Sequence, residues 1–189
     1  MISIEKAKHQ KICIIGNACS GKTTLARQIQ LLTKLPLYHV DSIQFLPRLK
    51  LKSPDQTRTE LLEISNYDNW IIDGFGPLNI IEDRFQKSDL IIFIRLPLVL
   101  VYWWMLKRQI KALFAQRKEL PADCFEATPA QTYKLIKNIY NVHTGMWPQL
   151  DRIFKKDIYK NKVIFLQSRC EIKKFIVQLK SNSKIGSKS

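Results

Sequence analysis

Gly16-Asn17-Ala18-Cys19-Ser20-Gly21-Lys22-Thr23 is the stretch on which the reading of this 189-residue chain turns. It matches G-x-x-x-x-G-K-[ST] in full, and its setting fits the motif. Lys11-Ile12-Cys13-Ile14-Ile15 in front of it is a short apolar run that reads as a fully buried strand. Behind it, Leu25, Ile29 and Leu32 recur at helical spacing. A loop wrapped between such a strand and helix turns successive backbone N–H groups toward one point, a nest for phosphate oxygens. The first helical turn adds unpaired N–H groups and the positive end of the helix dipole. Gly16 and Gly21 permit backbone angles and close approaches that a Cβ blocks.

In such a loop Lys22 reaches the β- and γ-phosphates of a nucleoside triphosphate, and the Thr23 hydroxyl ligates Mg²⁺. Asn17, Ala18, Cys19, Ser20 and Thr24 complete the expected phosphate-binding set. The stretch reads as a P-loop, with ATP and Mg²⁺ as the expected ligands. Cys19 reads two ways: an inert small residue, or a thiol whose pKa falls beside Lys22 and a helix N-terminus and whose oxidation blocks the loop.

Outward from the loop, four more short apolar runs read as buried strands: residues 37–40, 70–72, 90–94 and 163–166. Helical patterns separate them. Ser53-Pro54-Asp55-Gln56 and Ser168-Arg169-Cys170-Glu171 carry capping boxes that open helices. A long helix is expected through Lys107-Arg108 to about Lys118, then an exposed lid segment, about residues 109–130 in all. Residues 135–154 read as helix, divided or kinked at Gly145 and Pro148. Five strands alternating with helices predict an α/β fold, a parallel sheet covered on both faces. The size fits one domain over residues 1–180, and residues 181–189 read as a disordered basic tail.

Composition narrows the class. At 46% hydrophobic and 25% charged residues the chain is of ordinary globular make-up. Its opening residues lack the apolar core of a signal peptide. The apolar stretch 90–106 contains Arg95 and Pro97 and falls short of the ~20 residues a membrane helix needs. A cytoplasmic location, no membrane partner and free thiols at Cys13, Cys19, Cys124 and Cys170 are therefore expected. The net charge of +15 favours anionic partners without choosing among them.

Two acids stand at strand ends, where open parallel sheets gather their ligands. Asp73 closes the apolar run Trp70-Ile71-Ile72 and is the candidate carboxylate for Mg²⁺, directly or through a bound water. The alternative is that it caps the turn at Gly74. Asp41 closes the second run and is the candidate to orient an acceptor hydroxyl or take its proton, or else merely anchors its loop.

The motifs GNACSGKTTLAR, LPLYHVDSIQF, NWIIDGFG and DLIIFIRLPL with LKRQIK resemble the adenylate-kinase-like P-loop kinases. Most of all they resemble the group of DNA topology modulation proteins and nucleotide kinases related to them. VIFLQSRCEIKKFI is a weaker match to the family's last strand and helix. The resemblance implies a three-layer α/β/α sandwich, a five-stranded parallel sheet in the order 2-3-1-4-5, a helical lid, and phosphoryl transfer from ATP. It further implies that Arg108 stacks on adenine or binds phosphates, that Arg169 borders the base, and that Arg84 meets the acceptor's charge. The chain departs from the pattern at Ala18 and Cys19, where glycines are usual, and at Arg95, where an Asp is common. The lid segment lacks a paired-Cys motif, so no structural zinc is expected.

The leading expectation is a small-molecule kinase whose acceptor the sequence does not identify. The alternative is a nucleic-acid-associated ATPase or regulatory nucleotide-binding module, motivated by the charge. It lacks a recognition helix or RNA-binding aromatic motif, and its binding to DNA would weaken steeply with salt. GTP is disfavoured because Asn161-Lys162-Val163-Ile164 misses Asn-Lys-x-Asp at its last position.

Overall fold

The computed structural model describes residues 10–46, 50–112 and 128–185. Five strands form the main sheet: β1 (Lys11–Gly16), β2 (Leu37–His39), β3 (Trp70–Asp73), β4 (Leu90–Ile94) and β5 (Val163–Leu166). All pairings are parallel, and in these numbers the order across the sheet is 2-3-1-4-5. The inner strands β1, β3 and β4 are apolar and buried along almost their whole length, so helices cover both faces there, while the edge strands β2 and β5 are only partly covered. Two further short strands, Phe45–Leu46 and Lys50–Leu51, make a separate antiparallel hairpin that the apolar patterning did not indicate.

Alternation along β1 divides the core in two. Ile12 and Ile14 face one layer, with Leu25, Ala26 and Ile29 of α1 (Lys22–Thr33). Val101 and Met105 of α5 (Leu98–Ala112), Ile139 of α6 (Pro129–Asn141), and Phe175 and Leu179 of α8 (Arg169–Ile185) complete that layer. Cys13 and Ile15 face the other layer, with Leu61 of α3 (Pro54–Asn66), Phe85 of α4 (Ile81–Lys87), and Leu150 and Phe154 of α7 (Trp147–Phe154). Each fully buried Ile or Leu contributes about 2 kcal/mol against its exposed state. The fold is thus the three-layer α/β/α sandwich.

Both serines cap their helices as the sequence predicts. Ser53 Oγ accepts from Gln56 N at 3.2 Å with Pro54 in the first turn of α3, and Ser168 Oγ accepts from Glu171 N at 3.1 Å. Between α6 and α7 the chain makes a π-helical turn, Val142–Met146. Pro148 has no N–H for the carbonyl four residues back, so the wider turn absorbs the defect. Two boundaries differ from expectation. Val40 and Asp41 belong not to β2 but to a short helix, α2 (Val40–Gln44). The last helix runs on to Ile185, into the stretch expected as a tail, because no glycine or proline interrupts it before Gly186. Of the expected lid, residues 109–112 end α5, and 128–130 cap and open α6. Residues 113–127 lie outside the described residues, as does Cys124. Among the described residues, no helix is long and apolar enough to cross a membrane.

Candidate active site

The loop lies at the carboxyl end of β1, against the end of β4. Gly16 has φ 152°, and a Cβ there would stand 2.5 Å from the Ile94 carbonyl oxygen, so a side chain has no place. Gly21 caps α1 in a left-handed conformation, φ 88°. Cys19 is also left-handed, φ 59°, a conformation that costs a non-glycine residue about 1–2 kcal/mol. The loop therefore closes despite the missing glycines. Asn17 is buried and uses both ends of its amide: Nδ2 donates to the Ile139 carbonyl at 2.8 Å, and Oδ1 accepts from Ala18 N at 2.8 Å. This ties the loop to α6. The Asn17 carbonyl accepts from Lys22 Nζ at 2.8 Å and from Ser20 N at 3.3 Å.

Thr23, in the first turn of α1, meets Asp73 at the end of β3: Thr23 Oγ1 donates to Asp73 Oδ2 at 2.7 Å. The register of β2 on β3 places His39 beside Asp73, and its Nδ1 lies 3.1 Å from the same oxygen. Burial alone would raise the Asp73 pKa. The His39 hydrogen bond, the Lys22 charge and the Thr23 hydrogen bond outweigh it and hold the carboxyl below the usual range. An ionised carboxylate has no proton to give, so His39 Nδ1–H is the donor. The other oxygen, Oδ1, is buried and has no hydrogen-bond partner among the described residues. A buried acceptor left in this state is the kind that an ion or its water satisfies. Thr23 meanwhile spends its proton on Asp73 and keeps its oxygen lone pairs. These residues fit a divalent cation.

The remaining expected residues divide by placement. Burial pulls the Lys22 pKa down, while Asp73, Asp41 and Cys19 support the charged form and Arg108 opposes it. Lys22, Asp41, Asp73 and Arg108 therefore share one electrostatic neighbourhood. The Arg169 guanidinium lies 5.9 Å over the Trp104 ring, and that ring stands 3.6 Å from the position of a Cβ at Gly21. Thr24 is exposed on α1. Arg84 is not brought to an open site. It is buried, and its Nη2 donates to the carbonyls of Gly74 and Phe75 at 2.9 and 2.7 Å. The expectation that it meets an acceptor's charge is corrected accordingly: it props the loop after Asp73. Its place on α4 between buried Ile81 and Phe85 is the signal that could have shown this. Arg84→Ala should cost about 3 kcal/mol in urea unfolding, since it strands two carbonyls. A loss below about 1 kcal/mol would refute that role.

Sequence reasoning missed His39, Trp104 and the double role of the Asn17 amide. Only Trp104 left a local trace, one helical turn before Arg108 on α5. Arg95, where the resembled family has Asp, donates to Asp151 Oδ1 at 2.8 Å and lies 5.2 Å over the Trp147 ring. It is committed to α7.

No family model matches this chain, and no curated protein matches it. Solved structures do. Shikimate kinase from Bacteroides thetaiotaomicron superposes with a TM-score of 0.51 at 14% identity, over 90% of this chain and 95% of that one. Shikimate kinase from Acinetobacter baumannii, in complex with shikimate, gives 0.51 at 13%, over 96% and 95%. A gluconokinase from Sinorhizobium meliloti 1021 gives 0.50 at 9%, over 94% and 93%. The fold is that of the P-loop kinases. Within this P-loop kinase fold, the loop, Thr23 and Asp73 stand together at the carboxyl edge of the sheet, where β1, β3 and β4 end.

Proposed function

We propose that this chain is an ATP-dependent phosphotransferase that moves the γ-phosphoryl group to a small acceptor. The contact that carries the reading is Thr23 Oγ1 to Asp73 Oδ2 at 2.7 Å, beside a lysine whose ammonium lies over the loop. Backbone N–H groups of residues 16–24 bind the phosphates, and Lys22 neutralises the β- and γ-oxygens. Thr23 and Asp73 hold Mg²⁺, Asp73 directly or through a water. Bound there, the cation supplies further charge neutralisation on the phosphates. Asp41 orients the acceptor hydroxyl and takes its proton. Arg108 faces the phosphates or the adenine, and Arg169, seated on Trp104, borders the base.

The four sequence motifs support a nucleotide-type kinase close to the DNA topology modulation group. The names of the structural neighbours point instead to hydroxylated carboxylic acids such as shikimate and gluconate. ADP release from Mg²⁺·ATP across nucleoside monophosphates, nucleosides, sugars and hydroxy acids separates the two. At least one class should raise release about tenfold or more over the water background, because closure driven by the right acceptor assembles the catalytic site. Release that no acceptor raises, in a protein that also shows no heat with ATP, would sink the proposal.

A further inference from the structure

Asp73 has two oxygens in different situations, and His39 makes the difference. Oδ2 accepts from Thr23 at 2.7 Å and stands 3.1 Å from His39 Nδ1, while Oδ1 is buried without a hydrogen-bond partner among the described residues. A carboxylate held by one donor can rotate about its Cβ–Cγ bond and exchange its oxygens. Two donors from separate elements, α1 and β2, meeting on the one oxygen Oδ2, oppose that. The donors are themselves fixed. Thr23 sits in the first turn of α1, and His39 is the register partner of Asp73 across β2 and β3, with only 18% of its side chain exposed. The carboxylate is clamped in one orientation before any ligand arrives.

We infer that His39 is a positioning residue that holds Asp73 so that Oδ1 is reserved for the divalent cation of a nucleotide–metal complex. The inference rests on the kinase reading above and deepens it. His39 does not touch the cation or the nucleotide in this role. It acts through Asp73, as outer-shell donors to metal ligands do, and loss of such a donor typically weakens metal affinity or activity about 10–100-fold. Without it, a carboxylate tied only to Thr23 can turn both oxygens toward the hydroxyl and Lys22, and the cation loses its prearranged acceptor. Affinity for the nucleotide without metal does not pass through Asp73 Oδ1 and should be unaffected.

Calorimetry with ATP, first in EDTA and then over a series of Mg²⁺ concentrations, tests this. His39→Leu removes the donor, and His39→Asn keeps an N–H near the Nδ1 position. In His39→Leu the gain in ATP affinity produced by Mg²⁺ should shrink about tenfold, with EDTA affinity within about twofold of wild type. His39→Asn should recover the gain to within about threefold. A structural role alone would move both affinities together and would not be rescued by Asn. If His39→Leu fails to fold, as judged by its thermal transition, His39→Gln takes its place, since its longer side chain carries the donor past Asp73. A folded donor-less variant with the wild-type Mg²⁺ gain overturns the inference and leaves the kinase reading standing. Wild-type protein that gives no heat with ATP at any Mg²⁺ concentration overturns both.

Discussion

Lys22→Ala is expected to lower ATP turnover about a hundred- to a thousandfold, the usual loss when one preorganised donor at developing charge is removed. The Lys22 ammonium shares its neighbourhood with Asp73 and Asp41 and rests on the Asn17 carbonyl at 2.8 Å, so it is already held at the loop. Arg108 is close enough to oppose its charge, and some residual activity through Arg108 sets the lower end of the range. The fold should survive. Burial lowers the Lys22 pKa in the folded chain, while unfolding returns it to its ordinary value. The folded state therefore binds that proton less tightly than the unfolded one. The resulting penalty is complete below the folded pKa and fades only as pH rises through it toward the unfolded value. Removing the ammonium at pH 7 lifts a penalty, and the variant should unfold no more than a few degrees below wild type. Turnover and the thermal transition, measured on one preparation, settle the matter. Undiminished turnover would refute the assignment, and a lost transition would show that Lys22 is structural.

Gly16→Ala should destabilise the protein by about 4 kcal/mol. Two costs add. A non-glycine residue at φ 152° is strained by roughly 1–3 kcal/mol, and the new methyl carbon would lie 2.5 Å from the Ile94 carbonyl oxygen. That oxygen belongs to the backbone of a central strand whose register with β1 runs from Ile12 opposite Leu90 to Gly16 opposite Ile94, so it cannot swing aside. A domain of this kind has about 5–15 kcal/mol in all, so the change removes much of it. Gly145→Ala is the control. Nothing lies within 4 Å of a Cβ at that position, so replacement there should be neutral or stabilising by up to about 1 kcal/mol. Urea unfolding of both variants gives the comparison, and a Gly16→Ala protein within about 1 kcal/mol of wild type would contradict the geometry.

Much of the architecture was legible because its determinants are local. The runs at 12–15, 70–72, 90–94 and 163–166 are apolar on both faces, and that pattern alone calls for strands buried between helix layers. The serine caps at Ser53 and Ser168 reach a backbone N–H three residues on and needed no tertiary support to be read. The short helix at Val40 was not legible, since Tyr38-His39-Val40 alternates like a strand and only the turn of the chain after β2 stops it. The hairpin Phe45–Leu46 with Lys50–Leu51 is too short for any periodicity to mark it.

The site divides along the same line. The strand, the glycines, the lysine and the hydroxyl fall within the single stretch from Lys11 to Thr23, and their chemistry is written in their spacing. What Asp73 touches, which way Arg84 points and what Arg169 rests on are contacts between residues far apart in the chain. They depend on sheet register and on the rotation of each helix about its axis, which a hydrophobic pattern constrains only to within a face. By itself, then, the sequence determined the strand–loop–helix unit and the layered fold, because backbone geometry over a few residues dictates both. Only the tertiary structure decided that His39 joins Thr23 on Asp73 and that Arg84 turns inward, because packing, not local spacing, sets the partner of a side chain across the sheet.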